Sequence, residues 1–492
     1  MNKRGSGILM HITSLPSPYG IGTLGRAAYD FVDFLHAARQ SYWQILPIGP
    51  TGFAESPYQS LSSFGGNPYF IDLDILSQEG LLSSEDYKYL DFGRDRERVD
   101  YPRIFENRYR VFKKAYLKGR TIYSEEIEKF KEENSWWIED YALYMALKFK
   151  NDLKPWDQWQ EDIKLRREPA IEKCREALKD EIEYWVFLQY IFFTQWKCLK
   201  SYANSKGIQI IGDLPIYVAQ DSVDTWSNSE LFLLDGNKNP IKVAGCPPDY
   251  FSKHGQLWGN PIYHWEEHEK QNFKWWIKRI KKNMENFDII RLDHFRGIES
   301  YWEVPYGNET AEEGQWMKGP GMKLIKAIEE SLGKVNIIAE DLGILTPEVM
   351  KLKEEAGYPG MKVLQFAFQA GEESIYLPHN IDRNSVVYTG THDNNTIMGW
   401  FEDSSHRDIN FAIEYLKLNK VEGYNWGMIR GAWSSVSNTS IAPMQDFLGL
   451  GSHSRMNTPS TIGGNWCWRV KEEELSTALA ERIRKLTILY GR

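Results

Sequence analysis

Eight short apolar runs recur along the chain, and most of them end in polar residues, glycine or proline. They occupy residues 7–13, 42–49, 208–218, 287–295, 335–343, 362–368, 385–393 and 440–449. Nearly continuous apolar runs of this length are typical of strands buried on both faces, as in a parallel sheet. The pattern therefore predicts eight strands of one parallel sheet.

Helical periodicity separates most of these runs. Amphipathic patterns cover residues 25–40, 268–286 and 347–357. Thr346 is placed to cap the third pattern, which ends at Gly357 as many helices do. Strands that alternate with helices in this way predict an α/β fold, and eight such units predict a (β/α)₈ TIM barrel.

One connection is too long for an ordinary crossover, because ~160 residues separate the second and third runs. Residues 76–180 are rich in charge and in helical periodicity. We expect an inserted, mainly helical subdomain there, on the C-terminal face of a single catalytic barrel domain that spans residues 1–492. The pattern over residues 169–207, which begins within this region and extends beyond it, predicts one long helix that ends at Gly207.

Two segments, 245–265 and 457–468, are rich in proline, glycine and aromatic residues. Long connections in compact enzymes are often functional, so both are predicted to be active-site loops. A rigid loop that only covers the core is the alternative. The aromatic residues suited to cover a cleft are Tyr250, Phe251, Trp258 and Trp466.

The composition excludes some classes of function. The net charge of −9 argues against nucleic-acid binding, which needs a basic surface. No apolar run reaches the length of a membrane span, and the short run before His11 does not resemble a signal peptide. The four cysteines lie far apart in sequence, which favours a cytoplasmic protein. The 19 Trp, 27 Tyr and 23 Phe residues serve mainly for core packing, and some could stack on sugar rings.

Three glycines near the amino terminus, Gly20, Gly22 and Gly25, match the spacing of a dinucleotide-binding loop. That fingerprint also needs a strand directly before it and an acidic residue at the end of the next strand. Neither is present, so a turn that leads into the first helix is the better interpretation. Metal-binding motifs are absent from the sequence too, and we expect neither a cofactor nor a metal.

Acidic residues stand near the ends of four predicted strands: Asp213, Asp293, Glu340 and Asp393. A single acid in such a place is usually a helix cap or an ion-pair partner, and this reading stays open for Asp213. In a TIM barrel, however, the C-terminal ends of the strands meet at one cavity. Several acids gathered there cost stability, which indicates a functional site.

Paired carboxyl groups are what the cleavage of a glycosidic bond requires, since one must be ionised and the other protonated. Arg291 lies two residues before Asp293, so on a strand both point to the same face. We expect Arg291 to favour the ionised Asp293, with a purely structural ion pair as the alternative. Glu340 follows the apolar residues Val335, Ile337, Ile338 and Ala339, a setting that can raise the pKa of an acid catalyst.

A set of motifs spread over nearly the whole chain resembles glycoside hydrolase family 77, the 4-α-glucanotransferases. The motifs are SLPSPYGIGTLG (14–25), SPYQSLSSFGGNPYFIDL (56–73), GDLPIYVAQDSVDTW (212–226), RLDHFRG (291–297), IIAEDLG (337–343) and GTHDNNT (390–396). The resemblance implies a retaining mechanism on α-1,4-glucans, in a barrel related to that of α-amylase. It also implies that Asp293 is the nucleophile, Glu340 the general acid/base and Asp393 the stabiliser of the transition state.

The same resemblance implies two groups of substrate-binding residues. Those that hold the sugar at the cleavage point are Asp213, Arg291, His294 and His392. Those that lie along the glucan groove are Ser56, Tyr58, Trp258 and Asn465. The chain departs from the family at Phe53 and Ala54, where an aromatic residue and a glycine often precede an aspartate. This departure bears on acceptor binding or on a secondary binding site.

The expected substrates are α-1,4-glucans and malto-oligosaccharides, with glucose or another glucan as the acceptor. Transfer requires that the acceptor is held in place and that water is kept away from the intermediate. The main alternative is a retaining hydrolase similar to α-amylase, which would be expected to carry calcium ligands or a secretory leader. A non-catalytic sugar-binding protein is a further alternative, favoured only by the aromatic content.

Overall fold

The computed structural model describes residues 4–248, 253–343, 345–369 and 373–492. Eight parallel strands close into a barrel, and neighbours in space are also neighbours in chain order among these eight. They are β1 (Gly5–Leu9), β2 (Tyr42–Gln44), β3 (Gln209–Leu214), β6 (Ile289–Leu292), β9 (Ile337–Ala339), β10 (Gly360–Val363), β11 (Ser385–Tyr388) and β12 (Thr439–Pro443). Each strand overlaps one of the eight apolar runs, so the predicted TIM barrel is confirmed.

Helices fill the connections between the barrel strands. In the described residues they are α1 (Arg26–Ala37), α2 (Leu73–Gln78), α3 (Tyr101–Ile122), α4 (Ser124–Lys150), α5 (Glu161–Lys164), α6 (Glu168–Ala177), α7 (Lys179–Ser205), α8 (Val223–Ser227), α9 (Trp265–Lys270), α10 (Lys274–Asn286), α11 (Arg296–Glu299), α12 (Met322–Leu332), α13 (Pro347–Ala356), α14 (Ile397–Asp403), α15 (His406–Leu416), α16 (Tyr424–Ser434), α17 (Met444–Leu448) and α18 (Thr477–Leu489). Thr346 caps α13 and the left-handed Gly357 ends it, as predicted. The glycine-rich turn leads directly into α1, which begins one residue after Gly25.

The prediction of one helix over residues 169–207 is wrong. The backbone leaves helical geometry at Leu178, with φ −114° and ψ 22°, and this residue separates α6 from α7. A similar break at Phe273, with φ 53°, separates α9 from α10 within the pattern 268–286. Both side chains are buried. The apolar periodicity therefore continues across each break although the helix does not.

The long connection between β2 and β3 forms α2 to α7. The two 27-residue helices, α4 and α7, pack along each other, and α7 also contacts β3 of the barrel. The helical region is thus anchored on the barrel through α7. The limits of the inserted subdomain, 76–180, stay a prediction.

A second sheet lies outside the barrel. Its strands are antiparallel, in the order β5 (Gln256–Pro261), β4 (Lys242–Cys246), β7 (Ser300–Pro305) and β8 (Gln315–Lys318). The predicted loop 245–265 therefore contains regular structure, namely the end of β4 and all of β5. Tyr250 and Phe251, predicted to cover the cleft, lie outside the described residues.

Candidate active site

The barrel brings the predicted acids to one end of the molecule, where four strands finish. Asp213 lies near the end of β3 and pairs in register with Arg291 on β6. Glu340 directly follows β9, and Asp393 lies in the connection that follows β11. Because all of these strands are parallel, their C-terminal ends form a common cavity mouth.

Arg291 binds two carboxylates at once. Its Nη1 atom lies 2.7 Å from both carboxylate oxygens of Asp213 and 2.9 Å from Oδ1 of Asp293. The side chains of Arg291 and Asp213 are buried, whereas that of Asp293 is 26% exposed. Burial disfavours the charged guanidinium, but Asp213 and then Asp293 hold the pKa of Arg291 well above its usual value.

Asp293 has a raised pKa, close to 6. Burial is the largest cause, the Arg291 guanidinium opposes it, and the neighbouring carboxylates of Asp213 and Asp393 add to the rise. Arg291 favours the ionised form of Asp293, as expected from the sequence, but burial together with the carboxylates of Asp213 and Asp393 outweighs this effect.

Glu340 is held by the backbone of the two turns beside it. Its Oε2 atom accepts a hydrogen bond from the His294 N–H at 2.7 Å, and its Oε1 atom accepts one from the Leu342 N–H at 2.8 Å. His294 adopts a left-handed conformation, with φ 48°, in the turn after β6. Burial and the nearby Asp293 raise the pKa of Glu340 to about 7, against the effect of Arg291 and both N–H donors.

Asp393 differs from Asp293 and Glu340 in having a lowered pKa. His392 Nε2 lies 3.1 Å from its Oδ2 atom, and Asn457 Nδ2 donates to its Oδ1 atom at 2.6 Å. Burial acts to raise the pKa of Asp393, but His392 and Asn457 lower it to about 2. Burial likewise acts against the charged form of His392, and Asp393 more than offsets this, so the pKa of His392 is raised.

Tyr58 connects the two halves of the site. Its hydroxyl donates to Oδ2 of Asp213 at 2.7 Å. Its ring stacks on His392, with ring centres 5.1 Å apart and an angle of 15° between the planes. The ring of Trp466 lies against the ring of Tyr58, with ring centres 5.8 Å apart. The predicted residues Tyr58, Asp213 and His392 are thus brought together, with Trp466 beside them.

The other predicted binding residues are placed differently. Trp258, on β5, contacts His294 edge to face at 4.8 Å, so the outer sheet reaches the site here. Burial, and Arg296 as a lesser cause, lower the pKa of His294 to about 3. Ser56 accepts the N–H of Tyr58 at 3.3 Å and orients that turn. The described side-chain hydrogen bonds of Asn465 stay within its own loop, to Thr458 and Thr461.

Two residues of the site were missed by the sequence reasoning. Asn457 donates to the carboxylate of Asp393, and Arg455 Nη2 donates to the backbone oxygen of Asp393 at 2.5 Å. Both belong to a polar connection that shows no periodicity. Their only signal is that they stand at the start of the segment 457–468 or just before it.

In the described residues, no group of three or more His, Cys, Asp or Glu side chains is arranged to hold a metal ion. Within the same part of the chain, no helix is both long and apolar enough to cross a membrane.

A TIM barrel with a pair of acids of raised pKa at its C-terminal mouth is the arrangement of an enzyme that acts on glycosidic bonds. The family profile described as 4-alpha-glucanotransferase, glycoside hydrolase family 77, matches residues 10–476. The 4-alpha-glucanotransferase of Clostridium butyricum is 55% identical over 485 residues, which cover 98% of this chain and 100% of the relative. That of Thermus thermophilus is 45% identical, with 98% of each chain covered.

A solved structure agrees with these sequence matches. The amylomaltase from Streptococcus agalactiae in complex with acarbose superposes with a TM-score of 0.97 at 44% identity, over 100% of both chains. The chain belongs to the 4-α-glucanotransferases of glycoside hydrolase family 77. The resemblance in the sequence motifs is thereby confirmed, and a hydrolase similar to α-amylase is not favoured.

Proposed function

We propose that Asp293, Glu340 and Asp393 divide the chemistry of the 4-α-glucanotransferase between them, as nucleophile, general acid/base and transition-state stabiliser. The observation that carries the assignment is the ion pair between Arg291 Nη1 and Asp293 Oδ1 at 2.9 Å, which favours an ionised Asp293 as the attacking group. Burial and the nearby Asp293 raise the pKa of Glu340, which suits the group that must donate a proton. His392 and Asn457 lower the pKa of Asp393, which suits a carboxylate that stabilises positive charge.

In the first step, a carboxylate oxygen of Asp293 attacks the anomeric carbon of an α-1,4-glucan. Glu340 donates its proton to the departing glycosidic oxygen, and the reducing-end fragment leaves. The product is a covalent glucosyl ester on Asp293. Arg291 supports this step because its guanidinium contacts Asp293 and favours the ionised carboxylate that must attack.

In the second step, Glu340 is a carboxylate and accepts the proton from the 4-hydroxyl of an incoming sugar. That hydroxyl oxygen attacks the anomeric carbon, the ester to Asp293 breaks, and a new α-1,4 bond forms. Two inversions at the same carbon give net retention. The donors are α-1,4-glucans and malto-oligosaccharides, and the acceptor is glucose or another glucan.

Asp393 and His392 bind the hydroxyls next to the reacting carbon in this scheme. The ionised Asp393 also favours the positive charge that develops on the sugar ring, which strengthens its hold in the transition state. Asn457 and His392 fix both oxygens of Asp393, so its orientation is set before the substrate arrives. Asp213 and Tyr58 hold Arg291 and His392 in place.

Transfer is favoured over hydrolysis when a sugar occupies the acceptor position and water does not. Trp258 is partly exposed against His294 and is placed to cover a bound glucan, whereas Trp466 is buried against Tyr58 and supports that ring from behind. The Streptococcus agalactiae relative was solved with acarbose bound, which supports a sugar chain in this cleft. The cytoplasmic location predicted from the sequence stays a prediction.

The products formed from maltotriose alone test the proposal. A transferase yields glucose together with maltopentaose and longer chains, because one maltotriose serves as the acceptor for another. A hydrolase yields only glucose and maltose. The Asp293→Asn variant is the control for both outcomes. A non-catalytic sugar-binding protein would give no products, whether the original chain or this variant is used.

A further inference from the structure

A buried carboxyl group that the mechanism does not use lies beside the active site. Asp446 belongs to α17, three residues after β12 ends, and is 1% exposed. Its Oδ2 atom accepts a hydrogen bond from the Thr389 hydroxyl at 2.6 Å, and its Oδ1 atom accepts one from the Ile397 N–H at 2.8 Å. Both carboxyl oxygens are therefore engaged, by two different parts of the chain.

These two partners are the ends of one connection. Thr389 directly follows β11, and Ile397 is the first residue of α14. The segment between them, 390–396, carries His392 and Asp393. A single side chain from the helix that follows the next barrel strand thus bridges the base of the loop that presents Asp393.

The bridge is buried and is connected to the surrounding chain by further hydrogen bonds. Thr389 and Ile397 are fully buried, and Asn425 Nδ2 donates to the backbone oxygen of Asp446 at 2.9 Å. On the other side of the loop, Gln365 Nε2 donates to the backbone oxygen of Asn395 at 2.8 Å. Burial raises the pKa of Asp446 to about 7, against the two donors, so a neutral side chain of the same shape is tolerated there.

We propose that Asp446 is a positioning residue for His392 and Asp393. It acts by holding the two ends of segment 390–396 at a fixed separation, and it does not touch the reacting atoms. This inference rests on the role proposed for Asp393. Displacement of a catalytic group by about 1 Å can cost ~10²-fold in rate, so a loop that carries such a group needs a rigid base.

The test measures kcat and KM for maltotriose, together with urea unfolding, in four variants. Asp446→Ala removes both bonds, whereas Asp446→Asn keeps the shape and the acceptor for the Ile397 N–H. Thr389→Val removes one donor, whereas Thr389→Ser keeps it. Asp288→Ala is the matched control, because Asp288 accepts the Ile210 N–H and Asn204 Nδ2 at 2.8 Å each where β6 begins, away from the active site.

We expect kcat to fall by about 30-fold or more in Asp446→Ala and by about tenfold in Thr389→Val, while KM changes less than about threefold. Asp446→Asn and Thr389→Ser should retain kcat within about threefold of the original enzyme. Asp288→Ala should lower the free energy of unfolding and leave kcat unchanged. If Asp446→Ala does not fold, the pair Thr389→Val and Thr389→Ser decides.

The inference is overturned if Asp446→Ala and Thr389→Val lose stability as Asp288→Ala does but keep the original kcat. Asp393→Asn separates this failure from that of the proposed function. If Asp393→Asn is inactive while the Asp446 and Thr389 variants are normal, only the positioning role is wrong. If Asp393→Asn keeps the original kcat, the role of Asp393 is wrong and the inference falls with it.

Discussion

The guanidinium of Arg291 lies closer to Asp213 than to Asp293. One nitrogen, Nη1, is 2.7 Å from each oxygen of Asp213 and 2.9 Å from Oδ1 of Asp293. Asp213 therefore interacts with the guanidinium of Arg291 more strongly than Asp293 does. Asp293 is left with a pKa near 6, which suits a nucleophile that must be ionised to attack and must also leave in the second step.

Arg291→Lys should lower kcat/KM by about 10²-fold, because the lysine ammonium does not reach as far as Nη1 and so cannot contact both carboxylates from the same backbone position. Loss of the contact to Asp293 should also raise the pKa of Asp293 further. Activity needs the ionised form of Asp293, so the pH below which activity is lost should rise. Steady-state kinetics on maltotriose between pH 4 and 8 would show both effects.

Arg492→Lys is the control for this variant. Arg492 is also a buried arginine, but it donates to backbone oxygens of Gly5, Trp433 and Ser435, away from the site. It should lose stability and keep its pH profile. A profile of Arg291→Lys that does not shift would mean that the guanidinium has no influence on Asp293.

The activity should have a bell-shaped dependence on pH, with an optimum between about pH 6 and 7. Below this range Asp293 takes up a proton and cannot attack, and above it Glu340 loses the proton that it must donate. Glu340→Gln should lose the alkaline limit and ~10²–10⁴-fold in kcat on maltotriose. A rate of the original enzyme that stays constant up to pH 9 would contradict this.

Tyr58→Phe should lower the free energy of unfolding by about 1–3 kcal/mol, since a buried carboxylate loses a hydrogen bond. Asp213 would then interact more strongly with Arg291, which would stabilise the ionised Asp293 less. The pKa of Asp293, and with it the pH below which activity is lost, should therefore rise. The stacking on His392 remains, and KM should change little. Urea unfolding and pH profiles measure the two effects.

Tyr141→Phe is the matched control for Tyr58→Phe. The Tyr141 hydroxyl is also buried, and it accepts a hydrogen bond from Gln189 Nε2 at 2.9 Å between α4 and α7. We expect a similar loss of stability without any shift of the pH profile. Equal shifts in both variants would remove the specific role of Tyr58.

The barrel could be predicted from the sequence because strands buried on both faces need nearly continuous apolar runs. The outer sheet could not, since β4 and β5 contain glycine, lysine and glutamine and are only partly buried. The helix breaks at Leu178 and Phe273 could not be predicted either, because the apolar pattern there is too regular rather than too weak. Each break is occupied by a buried apolar side chain, so the periodicity gives no sign that the backbone turns.

The candidate site shows the same limit. Asp213, Arg291, Glu340 and Asp393 could be located because each stands near the end of an apolar run. Asp446 stands near the end of such a run as well, and only the structure shows that its carboxyl group binds the base of a neighbouring loop. The apolar run before Glu340 indicates its raised pKa, whereas the raised pKa of Asp293 and the lowered pKa of Asp393 depend on burial and on contacts that only the structure shows.

The central claim, that Asp293 is the nucleophile, is tested most directly by trapping the covalent intermediate. Glu340→Gln cannot activate an acceptor, but an α-maltosyl fluoride donor has a leaving group that needs no acid. Peptides from the treated variant would then be mapped by mass spectrometry. The account predicts a maltosyl ester on the peptide that contains Asp293, and its absence from the same variant carrying Asp293→Asn. An ester on Asp393 or Asp213 instead, or no ester while the fluoride is consumed, would contradict it.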